Sequence, residues 1–253
     1  MNMTEHRMKS WDGTELFYRA WMPDHPTGKG LLLFHRGHEH SARWQETVES
    51  LDLKDVAVFA WDQRGHGHSP GDRGHAESLS VVVKDADSFA RHVSETHGIA
   101  IENMVVLAHS VGAVVATAWV HDYAPPIRGL VLGAPAFRVK LYVPLAVPFL
   151  RLKQLLLGPG EVKSYVKAAM LTHDRGQAKR YASDDLIFRQ IAVNILLDLH
   201  DTSTRLIADA AAITVPTLIL AASSDWVVKI SAQKEFYKRL GSTIKQFEVL
   251  KAL

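Results

Sequence analysis

One serine of this chain lies where an apolar segment changes abruptly into small residues. Residues 104–107 are apolar, residues 108–112 read Ala-His-Ser-Val-Gly, and a second apolar segment follows at once. A serine placed in this way between a strand and a helix sits on a sharp turn that presents its hydroxyl as a nucleophile. The alternative is that Ser110 caps the helix that starts at Val111. We favour the nucleophile, because the predicted strand and helix are the context that this motif requires.

A carboxylate follows a later buried segment. Asp225 comes shortly after a predicted strand over 215–221. In open parallel sheets, ligands and catalytic groups collect at the carboxyl ends of the strands. A carboxylate there can orient an imidazole and stabilise its charged form. A turn or cap role is the alternative for Asp225, and we favour the catalytic one because serine precedes aspartate in one known triad order.

The loop after the first long buried strand has the composition of an oxyanion loop. Residues 34–41 read Phe-His-Arg-Gly-His-Glu-His-Ser. A developing oxyanion needs two backbone N–H donors already in place. We predict that Val111 supplies one of them and Gly37 the other, with Arg36 as the second choice for the loop donor. The histidines also raise the question of a metal, but a closed zinc site needs four ligands and no further ligand grouping accompanies them. We therefore expect no metal and no cofactor.

A second loop, residues 62–71, combines glycines with a proline. It reads Asp-Gln-Arg-Gly-His-Gly-His-Ser-Pro-Gly. It lacks the Gly-Lys-Ser/Thr of a phosphate-binding loop, and no helix follows it directly. We interpret it as a structural loop that braces the site. We expect His109 to be a buried, hydrogen-bonded residue rather than a base, because adjacent strand residues point to opposite faces.

The elements that must position these residues alternate along the chain. Short apolar strands at 31–34, 56–61, 104–107, 127–132, 215–221 and 245–250 alternate with helical patterns. This alternation predicts parallel pairing through right-handed crossovers. Residues 138–213 show helical patches and no strong strand. We predict an α/β fold with a mostly parallel central sheet flanked by helices, built from 1–137 and 214–253, with 138–213 inserted as a helical cap, or lid.

Composition limits the classes of function. The 253 residues include no cysteine and carry a net charge of +2. This nearly even charge balance does not indicate the concentrated basic face that nucleic-acid binding requires, so we expect no nucleic-acid partner. The first ten residues lack the apolar segment of a signal peptide. The apolar segment 141–157 is interrupted by prolines and by two basic residues, Arg151 and Lys153. We expect a cytoplasmic protein, and we leave open whether residues 141–150 form the lid core or contact a membrane surface.

Taken together, four motifs make the chain similar to a known family. Residues 35–41, 62–71, 109–112 and 225–228 resemble the motifs of the α/β-hydrolase superfamily, within it the monoacylglycerol lipase, lysophospholipase and serine aminopeptidase-like group. The resemblance implies a serine hydrolase that cleaves an acyl ester, with Ser110 as nucleophile and Asp225 as triad acid. It also implies Gly37 and Val111 as oxyanion donors and a lid that shapes an acyl pocket. The apolar segment 141–150 leads us to expect a monoacyl lipid, either a monoacylglycerol or a lysophospholipid, or a similar small apolar ester as substrate.

The chain departs from the pattern of this group at four places. Arg36 and His38 replace glycines of the oxyanion loop, and Ala108 replaces the first glycine of the serine turn. We expect Arg36 and His38 to contact substrate; an arginine there could crowd the loop or bind an anionic head group. The group carries its triad histidine after the last strand, whereas no histidine lies beyond His200 here. We expect either a further C-terminal segment that supplies the histidine, this chain being inactive without it, or a catalytically incomplete module that binds a ligand or supports a partner domain.

Overall fold

The fold is organised around a large central sheet. The computed structural model describes residues 1–143, 145–158 and 160–251. Within them the strands are β1 (Asn2–Lys9), β2 (Glu15–Met22), β3 (Lys29–Phe34), β4 (Val56–Trp61), β5 (Met104–His109), β6 (Gly129–Gly133), β7 (Glu161–Lys163), β8 (Gln190–Ala192), β9 (Thr217–Ala222) and β10 (Lys245–Leu250). In this part of the chain, eight of them form the central sheet in the order β1-β2-β4-β3-β5-β6-β9-β10.

The strand pairing confirms the predicted mostly parallel sheet. β1 and β2 are antiparallel, and β2 is antiparallel to β4. The remaining neighbours in this sheet, β4-β3, β3-β5, β5-β6, β6-β9 and β9-β10, are all parallel. The sequence did not predict β1, because its residues are polar and only Met8 among them is buried. Its place in the sheet comes from backbone pairing with every residue of β2.

The helices cover both faces of the sheet. In chain order they are α1 (Gln45–Leu51), α2 (Leu79–His97), α3 (Val111–Tyr123), α4 (Ala146–Leu157), α5 (Arg175–Ala182), α6 (Val193–Ala208) and α7 (Ile230–Arg239). The main core contains Phe34, Trp61, Phe89 and Trp119, where α2 and α3 pack on the sheet. On the opposite face, Val48 of α1 packs with Leu31 and Leu33. No described helix combines the length and the apolar character needed to cross a membrane.

The segment between β6 and β9 contains α4, α5 and α6. It also contains β7 and β8, which pair with each other in an antiparallel manner. The prediction for residues 138–213, which was helical patches and no strong strand, did not include these two short strands. Strands of three residues are too short for an alternating pattern to be recognised. Pro144 and Pro159 of this segment lie outside the described residues, as do Ala252 and Leu253 at the end of the predicted core.

Backbone contacts fix this segment against the core. Ala192 N–H donates a hydrogen bond to the carbonyl of Gly74 at 3.2 Å. A Cβ at Gly74, which has a φ of +72°, would overlap the carbonyl of Gln190 and lie 2.6 Å from the Phe188 ring. Only glycine combines this left-handed conformation with so close an approach. The inserted segment is thus seated directly on the loop that precedes α2.

Histidines from β1 and α2 surround one tyrosine of β2. The Tyr18 hydroxyl lies 3.2 Å from His92 Nε2 and 3.1 Å from His97 Nε2. The His6 ring stacks on the Tyr18 ring, with centroids 5.0 Å apart. Burial lowers the pKa of His92 and of His97, and the neighbouring His6 lowers both further. The folded protein therefore prefers these imidazoles neutral.

We expect the free energy of unfolding to decrease as the pH falls below about 6.5, the ordinary pKa of histidine. The unfolded chain binds protons at His92 and His97 before the folded chain does, because the folded pKa values are lowered. Their contribution to stability is complete above the unfolded pKa and is lost as the pH falls through the folded values. Urea unfolding midpoints measured from about pH 8 to about pH 5.5 test this.

In the same experiment, His97→Gln should weaken the pH dependence, since it removes one of the histidines whose pKa the fold lowers. His25→Gln is the control, because His25 is exposed. A midpoint that stays constant over this pH range in the unmodified protein would contradict the expectation.

Candidate active site

Ser110 lies between β5 and α3 in a backbone conformation that few residues adopt. Its φ is 55° and its ψ is −113°, outside the main allowed regions. Its amide donates to the carbonyl of Gly133 at 2.9 Å, and its carbonyl accepts from the amide of Ala136 at 3.1 Å. Such strain persists only where the surroundings enforce it, and it is concentrated at functional sites.

Gly112 allows α3 to begin directly against the end of β3. A Cβ at Gly112 would overlap the carbonyl oxygen of His35 and lie 2.7 Å from that of Phe34. Ala108 is fully buried, so the turn accommodates alanine in place of the expected glycine. The Ser110 side chain makes no capping hydrogen bond to α3. The helix-cap interpretation of Ser110 is therefore wrong, and its hydroxyl is not occupied by the helix.

Gly37 and Val111 lie side by side at the cavity that Ser110 also lines. A Cβ built at Gly37 would be 3.1 Å from Val111 Cγ2, so the Val111 side chain packs beside Gly37. Within the described residues, neither amide donates a hydrogen bond to a protein acceptor. Both amides are therefore available as donors, and a developing oxyanion requires donors of this kind.

Asp225 occupies the loop between β9 and α7. Its Oδ1 accepts hydrogen bonds from the amides of Val227 at 2.7 Å and Val228 at 2.9 Å. The turn-forming role that was the alternative for Asp225 is therefore present. No side chain or amide among the described residues donates to its Oδ2. The Asp225 carbonyl accepts from Lys140 Nζ, so the loop is also held from the inserted segment. One carboxylate oxygen fixes the loop, and the other remains for a further partner.

Buried polar groups tie the neighbouring loops together. Asp62 Oδ1 accepts from the amide of Ser41 at 2.6 Å, and its Oδ2 accepts from the amide of His68 at 2.8 Å. His35 Nε2 accepts from the amide of Gln63 at 3.0 Å. Burial lowers the pKa of His35, which keeps this acceptor neutral. These bonds confirm the structural role predicted for the loop after β4.

Three histidines of the site are held neutral or are paired with a carboxylate. Burial lowers the pKa of His38 to about 4, and burial together with Arg36 lowers the pKa of His109 to about 4. His40 Nε2 lies 3.0 Å from Asp184 Oδ2 of the inserted segment. In the described part of the chain, no histidine hydrogen-bonds the Ser110 hydroxyl.

His109 differs from its prediction. Its ring borders two cavities, and it makes no hydrogen bond among the described residues. The expectation of a hydrogen-bonded core histidine is therefore wrong. The strand ends at His109, so its side chain emerges at the rim of the sheet instead of entering the core. No described group of three or more His, Asp or Glu side chains could hold a metal ion.

Two cavities meet at Ser110. The first has a volume of about 410 Å³ and mainly apolar walls. Its apolar residues come from both the core and the inserted segment, and include Leu79, Val139, Leu141, Phe149, Leu150, Val162, Leu171, Phe188, Ile191, Ile195 and Leu199. The second, of about 250 Å³, is more polar and contains His109, Thr172, His173, Ser224 and Asp225. Ser110 and Asp225 thus share one cavity, while Ser110, Gly37 and Val111 share the other.

Arg36 and His38, the residues predicted to contact substrate, both line the apolar cavity. Arg36 Nη2 donates to Glu39 Oε1 at 2.7 Å, and its guanidinium carbon lies 5.3 Å from the centre of the Tyr181 ring. The His38 ring packs edge-on against Phe188, with centroids 5.5 Å apart. Sequence reasoning did not identify Tyr181 and Phe188. The sequence marks each of them only as an isolated aromatic residue of the inserted segment.

Comparison with known proteins shows the family of this chain. Residues 25–253 match the family described as serine aminopeptidase, S33. The Escherichia coli (strain K12) protein YnbC is 51% identical over 247 residues, which cover 97% of this chain but 42% of YnbC. This chain therefore spans less than half the length of that relative. A monoacylglycerol lipase of Mycolicibacterium smegmatis is 24% identical over 94% of this chain and 85% of its own.

Solved structures agree on the fold. The crystal structure of a monoacylglycerol lipase from Paleococcus ferrophilus matches with a TM-score of 0.80 and 23% identity, over 99% of this chain and 89% of the other. This similarity shows that the two proteins share the α/β-hydrolase fold. Together with the family match over nearly the whole sequence, it identifies this chain as a member of the S33 serine aminopeptidase family of the α/β-hydrolase superfamily, in the group that includes the monoacylglycerol lipases.

Proposed function

We propose that the protein is a serine hydrolase that cleaves an acyl ester, with a monoacyl lipid or similar small apolar ester as substrate. The observation that carries this proposal is the position of Ser110, on a strained turn where an apolar and a polar cavity meet. An ester of an apolar acid and a polar alcohol fits this arrangement, with its chain in the first cavity and its alcohol in the second. The monoacylglycerol lipases among the relatives support the assignment.

In the proposed reaction, Ser110 Oγ attacks the carbonyl carbon of the ester. The carbonyl oxygen becomes negative and receives hydrogen bonds from the Gly37 and Val111 amides. The bond to the alcohol oxygen then breaks, the alcohol leaves with a proton, and the acyl group stays on Ser110. Water attacks this acyl-serine, releasing the fatty acid and regenerating the hydroxyl.

A general base must take the proton of Ser110, because a neutral hydroxyl is a poor nucleophile. Among the described residues no histidine hydrogen-bonds the Ser110 hydroxyl, and burial lowers the pKa of His38 and of His109 to about 4. We therefore assign the base to a histidine that is not part of these 253 residues, which would enter the cavity shared by Ser110 and Asp225 and donate to Asp225 Oδ2. Without such a histidine, the same site would bind an ester without cleaving it, which is the second candidate function.

The inserted segment 138–213 has the proposed role of a lid. It supplies most of the apolar side chains of the 410 Å³ cavity, including Phe149, Leu171 and Phe188. Burial of an acyl chain against these side chains contributes about 0.8 kcal/mol for each methylene removed from water. The lid therefore provides the affinity for the chain, and the core provides the reacting groups.

Helix α4 of this segment supports a second part of the proposal, contact with a membrane surface. Leu152, Leu155, Leu156 and Leu157 are exposed by 53%, 80%, 69% and 75%. The same helix carries Arg151 and Lys153. Exposed leucines beside basic side chains suit the boundary between lipid head groups and acyl chains. A lipase that takes its substrate from a bilayer would gain by this contact.

Ser110→Ala should abolish both labelling by a fluorophosphonate probe and hydrolysis of 1-oleoylglycerol. The rate should fall by a factor on the order of 10⁴ or more, because the attacking atom is removed. Both measurements are made on the full-length protein. Ser94→Ala, in α2, is the control and should retain both signals. Binding of 1-oleoylglycerol without Ser110 labelling or turnover would contradict the hydrolase and support the binding module.

Asp225→Asn should leave the fold intact and reduce kcat on the order of 10⁴-fold, as loss of the triad carboxylate does elsewhere. The amide oxygen of asparagine can still accept from Val227 and Val228, so the loop geometry is kept. The thermal unfolding midpoint measured beside kcat separates the two effects. A variant with nearly full activity would show that Asp225 only shapes the turn.

Leu155→Ser with Leu156→Ser should lower binding to phospholipid vesicles at least about 10-fold, because burial of each leucine stabilises the bound state by about 1.5–3 kcal/mol. Co-sedimentation with vesicles of mixed neutral and anionic lipid measures the binding. Ile244→Ser is the matched control, since Ile244 is 67% exposed and lies before β10. Equal loss of binding in both variants would argue against α4 as the contact surface.

A further inference from the structure

The loop that carries Asp225 is held by side chains from the beginning of the inserted segment. Lys140 Nζ donates a hydrogen bond to the carbonyl of Asp225. The Tyr142 hydroxyl donates to the next carbonyl, that of Trp226, at 2.6 Å. Two side chains that lie two residues apart in the sequence therefore bind two successive carbonyls of this loop.

The backbones of the same two stretches are also paired, in a short antiparallel bridge. The amide of Lys140 donates to the carbonyl of Val227 at 2.8 Å. In the described part of the chain, residues 225–229 make hydrogen bonds within their own loop and to the first turn of α7, and otherwise only to residues 138–142. The inserted segment is thus the main external support of this loop.

Tyr165, further along the inserted segment, supports Lys140 and Tyr142 in turn. Its hydroxyl donates to the carbonyl of Lys140 at 2.7 Å. Its ring packs edge-on against the Tyr142 ring, with centroids 5.4 Å apart. Burial raises the pKa of Tyr165 to about 12, so the phenol keeps its proton and remains a donor. The two residues that hold the loop are therefore themselves fixed from a second position in the segment.

These contacts fix the main chain of Asp225 without occupying its carboxylate. Lys140 binds the carbonyl, and Oδ1 is bound by amides of the loop itself. The carboxylate lines the polar cavity together with Ser110, whereas Lys140 and Tyr142 are not among the described residues that line either cavity of Ser110. Both side chains can therefore act on the site only through the loop.

We propose that Lys140 and Tyr142 are positioning residues that keep the Asp225 carboxylate aligned within the cavity it shares with the reacting serine. This inference rests on the proposed hydrolase function, with Asp225 as its acid. A carboxylate that orients an imidazole must itself be held in place. A displacement of about 1 Å at a reacting group can lower a rate on the order of 10²-fold. The inserted segment then aligns the acid as well as binding the acyl chain.

Lys140→Met and, separately, Tyr142→Phe should lower kcat for 1-oleoylglycerol about 10- to 100-fold, because the acid is no longer held in place. KM should change little, since neither residue lines a cavity that would bind substrate. The rate of Ser110 labelling by a fluorophosphonate probe should fall by a similar factor. Lys140→Arg keeps a cationic donor and should retain most of the activity. All measurements use the full-length protein.

Two matched substitutions serve as controls. Lys167→Met changes an exposed lysine of the same segment, and Tyr123→Phe removes the hydroxyl of an exposed tyrosine at the end of α3. Both should keep kcat and the labelling rate. The thermal unfolding midpoint of every variant is measured in parallel. Tyr142→Phe keeps the test decisive if Lys140→Met fails to fold, because it removes only the hydroxyl of a side chain that is 58% exposed.

Combination with Asp225→Asn separates positioning from a general structural effect. If Lys140 acts through the carboxylate, Lys140→Met should lower the labelling rate in the unmodified protein but hardly at all in the Asp225→Asn background. The same factor of loss in both backgrounds would overturn the positioning role, because the effect would then not depend on the acid.

The remaining outcomes distinguish this proposal from the hydrolase proposal. Unchanged kcat in Lys140→Met and in Tyr142→Phe, with Ser110 labelled and 1-oleoylglycerol cleaved, overturns the positioning role and leaves the hydrolase intact. Absence of labelling and of cleavage in the unmodified protein overturns the hydrolase, and with it the role of both residues.

Discussion

The contact between the start of α3 and the end of β3 sets the geometry on which the candidate site depends. Because Gly112 has no side chain, the first turn of the helix lies directly against the carbonyls of Phe34 and His35. This contact holds Ser110 in its strained conformation and brings Val111 beside Gly37. A larger residue at position 112 would displace the helix and separate the two amides. The residues proposed as the nucleophile and the oxyanion donors are therefore positioned by one backbone contact.

Some buried polar groups near the site have their hydrogen bonds satisfied within the fold, whereas others keep an atom without a partner among the described residues. The carboxylate of Asp62 and the imidazole of His35 have their hydrogen bonds satisfied by neighbouring loops, so their role is structural. Asp225 satisfies one oxygen and keeps the other unpaired in the described chain. Arg36 likewise retains a buried donor without an acceptor. Asp225 and Arg36 both line the more polar cavity that Ser110 also lines.

The sequence was sufficient to predict the central sheet and the serine turn, because both have strong local signals. The strand and helix on either side of Ser110 are continuous apolar segments, and the small residues between them permit one sharp turn. β1 was not predictable, since its polar residues enter the sheet through backbone pairing alone. The three-residue strands of the inserted segment were too short to show a period. The contact of Tyr181 with Arg36 depends on packing between distant segments, which no local pattern reports.

The contact between the inserted segment and the loop after β3 would also connect binding of an acyl chain to the proposed reaction. Phe188 belongs to the roof of the apolar cavity, and it packs against His38 of the oxyanion loop and against His66. In the proposed substrate complex, an acyl chain that fills the cavity would press on the same ring that supports this loop. The length of the chain would then govern the turnover rate as well as the affinity, because a short chain leaves the roof, and through it the oxyanion loop, less firmly supported.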